Sequence, residues 1–160
     1  MQSFPWLYPY QEDGPRLGST VMRPVVPITL AAVETAPTSF ALVDSGSEHI
    51  LAAPWLAVAV GIDPLKSDKS MVLGIGGESV KTRFADLTIR LHPPGATDED
   101  YIEWPAEVGF VEHWRPTWPI VLGQVGFIDR FTVTLQRQSQ QLAVEDWDAF
   151  DQRFGIPLHE

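Results

Sequence analysis

One carboxylate of this sequence directly follows an apolar run, in residues 40–47, which read FALVDSGS. Asp44 would end a buried strand, where a carboxylate is costly unless hydrogen bonds or partial neutralisation compensate it. Ser45 can donate one such bond, and Gly46 allows a sharp turn that brings backbone N–H groups to the carboxylate. Asp44 is therefore the leading candidate for a residue that carries chemistry. An ordinary Asx turn after a strand would have the same tripeptide.

Two further segments follow this one along the chain. Residues 70–78, SMVLGIGGE, are typical of a glycine-rich hairpin tip, which would need no function beyond a flexible turn. A dinucleotide fingerprint would require glycine at position 79, where Ser79 stands, and no Lys-Ser/Thr pair completes a phosphate loop. Residues 119–124, PIVLGQ, form an apolar strand that ends in glycine.

The three segments, in this order and spacing, resemble the retropepsin-like aspartic proteases over residues 25 to about 135. The resemblance implies a catalytic turn, a flap over the substrate and a supporting element behind the turn. The implied catalytic turn consists of Asp44, Ser45, Gly46 and Ser47; the flap of Leu73, Gly74, Ile75, Gly76 and Gly77; the support of Val121, Leu122 and Gly123. Retroviral members have arginine after the supporting glycine, whereas this chain has Gln124.

The implied chemistry requires two carboxyl groups about 3 Å apart that share one proton. The ionised group takes a proton from the attacking water, and the protonated group donates to the peptide carbonyl oxygen. Asp44 is the only aspartate of the chain in an Asp-Ser/Thr-Gly tripeptide. We therefore expect a homodimeric aspartic endopeptidase, with Asp44 of each copy meeting on the two-fold axis and a peptide or protein as substrate. No cofactor is expected.

Other functions remain open on the residues alone. The same fold could serve as a catalytically inactive binding or dimerisation module, an alternative that Gln124 keeps open, or the chain could be an unrelated β-domain binding protein. Ser45 and His49 could suggest a serine hydrolase, but the Gly-x-Ser-x-Gly elbow is missing. The four histidines have no metal-ligand spacing, so no metal site is expected at His49, His92, His113 or His159.

Composition narrows the functional class further. A chain of 160 residues suits one domain, and the absence of cysteine excludes a thiol nucleophile, a thiolate zinc site and disulfides. The net charge of −10 disfavours nucleic acid as a partner. Negative charge near a carboxyl dyad favours the protonated form of the dyad, so the activity should be higher below neutral pH. The longest apolar run, residues 50–62, is too short to cross a bilayer and no targeting segment is visible, so a cytoplasmic location is expected.

The scattered 14 prolines and 12 glycines require short elements and, with many β-branched and aromatic residues, predict a mainly β domain with one to three short helices. The resemblance implies a closed, barrel-like acid-protease half. We predict an irregular lead-in over residues 1–20, with a turn at 12–15, a retropepsin-like domain over 21–137, and an acidic tail over 138–160. Strands are predicted at 25–33, 39–43, 70–75, 79–91, 101–111, 120–122 and 131–135, a turn or short helix at 123–129, and short helices at 54–60 and around Trp147, Phe150 and Phe154.

Two segments allow both a structural and a functional interpretation. The acidic residues 98–103, in a loop expected over 95–103, are typical of a solvated loop, but could repel acidic substrates or recruit a basic partner. Residues 114–118, WRPTW, are typical of core or interface filler, but could line a binding groove or a dimer contact.

Overall fold

The computed structural model describes residues 3–16, 19–95, 100–155 and 157. Twelve strands dominate the described chain: β1 (Trp6–Pro9), β2 (Gln11–Arg16), β3 (Ser19–Arg23), β4 (Val25–Ala31), β5 (Ser39–Val43), β6 (Ile50–Ala52), β7 (Ser70–Ile75), β8 (Glu78–Leu91), β9 (Ile102–Val111), β10 (Ile120–Leu122), β11 (Thr132–Gln136) and β12 (Gln141–Glu145). The helical segments are α1 (Pro54–Ala59), α2 (Trp147–Phe154), a 3-10 turn (Pro64–Lys66) and an irregular turn (Gln124–Ile128). The prediction of a mainly β domain with a few short helices is confirmed.

Six strands close into a mixed barrel. They are hydrogen-bonded in the order β4-β5-β10-β6-β9-β8, and a further pairing of β4 with β8 closes the ring. The pairs β5–β10 and β6–β9 are parallel, whereas the other pairs of the ring are antiparallel. Strand β7 pairs with the first half of β8 and extends outward from the barrel. The closed barrel implied by the resemblance is thereby confirmed.

The barrel core explains why these segments form strands. In β4, Val26, Ile28 and Leu30 are fully buried, and β10 contributes three buried residues in succession. Central strands that are covered on both faces carry such continuous apolar runs. Helix α1 begins at Pro54 and is followed by Gly61, with φ of +77°, as the sequence predicted.

Within the described residues 3–16 and 19–20, the prediction of an irregular lead-in over residues 1–20 is wrong. Strand β1 pairs with β12, which in turn pairs with β11. Strand β2, which contains the segment predicted as a turn at 12–15, pairs with β3. Trp6 and Tyr8 are buried and alternate with the exposed Leu7, a period-2 pattern that the neighbouring prolines hide. The predicted tail likewise contains a strand, β12, before its helix, because Leu142 and Val144 complete the same buried face.

A buried hydrogen bond ties the terminal sheet to the barrel. The Tyr8 hydroxyl donates to the His92 carbonyl oxygen at 2.7 Å, and burial raises the pKa of Tyr8 above its ordinary value of 10.0.

Helix α2 begins after Asp146, whose carboxylate accepts the Ala149 N–H at 2.8 Å. The predicted tail helix is therefore confirmed, and its eight residues make it the longest helix of the described chain, far short of a bilayer span.

Candidate active site

A cleft of about 820 Å³ brings the three sequence segments together. Its walls come from the turn after β5, from the tip of the β7–β8 hairpin, from β10 and from the loop 114–118. The predicted site residues that line it are Asp44, Gly46, Ser47, Leu73, Gly74, Ile75, Gly76 and Val121. The others lie beside it: Ser45 is exposed in the turn, Gly77 completes the hairpin tip, and Leu122 and Gly123 are buried behind the turn.

The Asp44 carboxylate is exposed at the cleft and oriented by its own turn. The Asp44 N–H continues the parallel pairing of β5 with β10 by donating to the Leu122 carbonyl oxygen at 3.0 Å. One carboxylate oxygen, Oδ1, accepts the Gly46 N–H at 2.9 Å, as the sequence predicted. A Cβ at position 46 would lie 3.2 Å from that oxygen, so glycine provides room for the carboxylate rather than an unusual φ. The Ser45 hydroxyl makes no hydrogen bond with the described residues.

Gly123 allows the supporting element to lie directly against the turn. A Cβ at this position would stand 2.4 Å from the carbonyl oxygens of both Ser47 and His49. The next two N–H groups donate to the turn, from Gln124 to the Ser47 oxygen at 2.8 Å and from Val125 to the Glu48 oxygen at 2.9 Å. The backbone of residues 122–125 therefore holds the turn along its length.

The side chain of Gln124 adds a further contact to this backbone network. Its Nε2 donates to the Ser45 carbonyl oxygen at 2.7 Å, across a sequence separation of 79 residues. In the sequence, Gln124 stands out only as a departure from the arginine of the retroviral proteases. No local pattern signals this bond, because it depends on how close the two segments come in the folded chain.

The hairpin tip lies on the opposite wall of the cleft. Gly76 and Gly77, with φ of +58° and +84°, form the two-residue turn between Ile75 and Glu78. Two positive φ values in succession are the mark of a type I′ hairpin turn, which glycine favours. Leu73 and Ile75 pack against a small apolar cluster beside the cleft, formed by Leu51, Val111 and Val121. The predicted hairpin is present, with β8 beginning one residue earlier than expected.

The loop 114–118 forms a third wall, which favours the groove-lining interpretation of its sequence. All five of its residues line the cleft. Trp114 packs against the apolar cluster, and the Trp118 ring meets Phe40 edge-on at 6.4 Å. These two contacts anchor the ends of the loop and present Arg115 between them. For the acidic segment, residues 98–99 lie outside the described part of the chain.

Sequence reasoning missed one charged pair of the cleft. Asp13 and Arg23 line it together, with Arg23 Nε 3.4 Å from Asp13 Oδ2, and the Asp13 side chain is only 4% exposed. The β2–β3 hairpin brings them into contact. Because Gly14 and Pro15 are typical of a turn, no pattern in the sequence signals this pairing.

Two histidines of the described chain, His49 and His92, are engaged in other contacts. His92 is buried, with its Nε2 2.7 Å from the Thr29 hydroxyl, and His49 meets the Phe84 ring at 5.0 Å. No hydrogen bond joins His49 to the Ser45 hydroxyl. Across the described ranges, no group of three or more metal-ligating side chains comes together; His159 lies outside them.

Comparison with solved structures shows a similarity over most of the chain. It is to the crystal structure of a retropepsin-like aspartic protease from Rickettsia conorii, at 17% sequence identity and a TM-score of 0.49, covering 86% of this chain and 95% of that one. No family model matches the chain. No curated protein matches it either.

Proposed function

We propose that this protein is an aspartic endopeptidase whose active site forms between two copies of the chain. The observation that carries the proposal is the Asp44 turn. An exposed carboxylate stands at the end of a barrel strand, held by the Gly46 N–H at 2.9 Å, on the wall of a cleft that faces a hairpin tip. A cleft of about 820 Å³ is large enough for several side chains of an extended peptide.

The second carboxylate of the dyad is the reason for proposing a dimer. Two other carboxylates, Asp13 and Glu48, line the cleft in the described chain. Asp13 is ion-paired with Arg23, and Glu48 lies beyond the strand-end turn. Asp44 is exposed, so two copies related by a two-fold axis can bring their Asp44 carboxylates together.

In the assembled dyad, one carboxyl group is protonated and the other ionised, because two negative charges about 3 Å apart repel each other. The ionised carboxylate accepts a proton from water as its oxygen attacks the peptide carbonyl carbon. The protonated carboxyl donates to the carbonyl oxygen, and proton return to the amide nitrogen lets the C–N bond break. Since the dyad must keep its shared proton, cleavage should be faster below neutral pH than above it.

The decisive experiment compares wild type with Asp44→Asn on a peptide library. We expect cleavage to fall by about 10³-fold or more, within the range that acid–base groups contribute, while the unfolding temperature changes little because the side chain is exposed. The matched control is Asp86→Asn, an exposed aspartate on β8, which should leave cleavage unchanged.

The dimer is tested separately by sedimentation across micromolar concentrations, with and without a statine-type inhibitor. Activity that persists in a strictly monomeric sample would contradict the shared dyad. Cleavage that survives Asp44→Asn would contradict the aspartic mechanism itself. If wild type and Asp44→Asn both bind peptides of the library equally well and neither cleaves them, the inactive binding module is favoured.

A further inference from the structure

We propose that Gln124 is a positioning residue that orients the Asp44 carboxylate through a single peptide group. The group is the Ser45–Gly46 peptide, which is bound at both ends. Its carbonyl oxygen accepts from Gln124 Nε2 at 2.7 Å, and its N–H donates to Asp44 Oδ1 at 2.9 Å. The inference rests on the proposed function for its catalytic consequence, but not for its structural content.

The rigidity of the peptide group transmits the effect. A trans peptide is planar, with C=O and N–H pointing in opposite directions, so a bond that fixes the carbonyl oxygen also fixes the direction of the N–H. A hydrogen bond accepted by the carbonyl also polarises the group and strengthens the N–H as a donor. Gln124 therefore acts on the carboxylate without touching it.

The backbone network leaves this one peptide for the side chain to hold. Bonds from residues 122–125 reach the turn at the Asp44 N–H and at the Ser47 and Glu48 carbonyl oxygens. They bracket the Ser45–Gly46 peptide without contacting it. Within the described chain, its hydrogen bonds are the two to Gln124 and Asp44. Without the Gln124 amide, the peptide can rotate while the rest of the turn stays in place.

Two substitutions distinguish the hydrogen bond that Gln124 donates from the mere presence of a side chain at position 124. Gln124→Met keeps a similar length but removes the donor at every pH. Gln124→Glu places an acceptor against the Ser45 carbonyl oxygen when ionised, and a donor when protonated; because that oxygen disfavours the ionised form, the pKa should lie above the ordinary glutamate value of about 4.3. Gln141→Met is the matched control, because Gln141 is an exposed residue of the distant β12 strand.

For cleavage, Gln124→Met should lower kcat about five- to tenfold, as expected for one lost hydrogen bond, with KM within twofold of wild type. Its kcat relative to wild type should not depend on pH. For Gln124→Glu the same ratio should be lower still at pH 6 and rise toward wild type as the pH falls through 4. A Gln124→Glu ratio that is flat with pH would overturn the positioning role.

A second readout does not depend on activity. The Gly46 amide proton resonance should move upfield in Gln124→Met and stay in place in Gln141→Met, while the Val125 amide reports that the backbone network is intact. An unmoved Gly46 resonance would overturn the inference even in an active enzyme. Cleavage that survives Asp44→Asn would instead overturn the proposed function, and the Gly46 resonance would still decide the role of Gln124.

Discussion

Glycine stands on both sides of the cleft, in the support of the Asp44 turn and at the hairpin tip, for two different physical reasons. At Gly123 a Cβ would lie 2.4 Å from two backbone oxygens, so the side chain is excluded by lack of space. At Gly76 and Gly77 nothing lies within 4 Å, but φ is +58° and +84°. There, glycine is favoured by the backbone conformation alone.

The Asp44 turn and the β7–β8 hairpin, which form two walls of the cleft, are held in place in different ways. Backbone hydrogen bonds from residues 122–125 hold the turn against buried strands. The hairpin extends beyond the barrel, with Val72 72% and Met71 40% exposed. Segments with few buried contacts open locally at low free energy, and those held by many open only with the whole domain. The Asp44 carboxylate therefore sits on the more firmly held wall, and under the proposed function the opposing hairpin is the wall that would adjust to a substrate.

The largest expected effect is at the crowded glycine. Gly123→Ala should lower the free energy of unfolding by about 3 kcal/mol, because the neighbouring backbone oxygens cannot yield as a flexible side chain would. Urea unfolding monitored by tryptophan fluorescence measures this loss. A change in the free energy of unfolding below about 0.5 kcal/mol would show that the Asp44 turn can move away from residue 123 and is not tightly held.

Alkaline pH tests a third region, the terminal sheet that contains Tyr8, without altering either wall of the cleft. Burial keeps the Tyr8 hydroxyl protonated in the folded protein, whereas in the unfolded chain it ionises near pH 10.0. The unfolded state therefore releases a proton that the folded state retains, and stability falls by about 1.4 kcal/mol per pH unit above pH 10. Unfolding should show this slope in wild type and lose it in Tyr8→Phe, which at neutral pH costs about 1 kcal/mol through the loss of the Tyr8 hydrogen bond to the His92 carbonyl oxygen.

The smallest effect is expected at the hairpin. Gly77→Ala should cost about 1 kcal/mol, because alanine must adopt a left-handed φ there. Gly74→Ala is the matched control, since Gly74 has open space around it and no positive φ, and it should change stability by less than about 0.5 kcal/mol. If both substitutions lower stability equally, the conformational explanation of the hairpin glycines fails. If Gly77→Ala also changes KM more than kcat, the hairpin contacts the substrate.

The sequence predicted five of the six barrel strands, because each of the five carries its signal locally; it missed β6, three buried residues at the start of the apolar run 50–62. The apolar strand before Asp44, the hairpin around Gly76 and Gly77, and helix α1 are all defined by residues within a few positions of one another. The prediction for the lead-in, residues 1–20, failed because the signal of its strands is not local. Its prolines and glycines suggest loops, and the buried alternation of Trp6 and Tyr8 becomes meaningful only when β12 is beside it.

The sequence by itself determined the strand that ends in Asp44, the glycine hairpin and the single copy of the Asp-Ser-Gly tripeptide, since these depend on backbone preferences and side-chain types over short distances. Only the tertiary structure decided that the two ends of the chain share a sheet, that Asp13 meets Arg23 at the cleft, and that Gln124 reaches the Ser45 carbonyl oxygen. These contacts join segments that become neighbours only when the barrel closes, because the summed burial of many strands, and no local preference, brings them together.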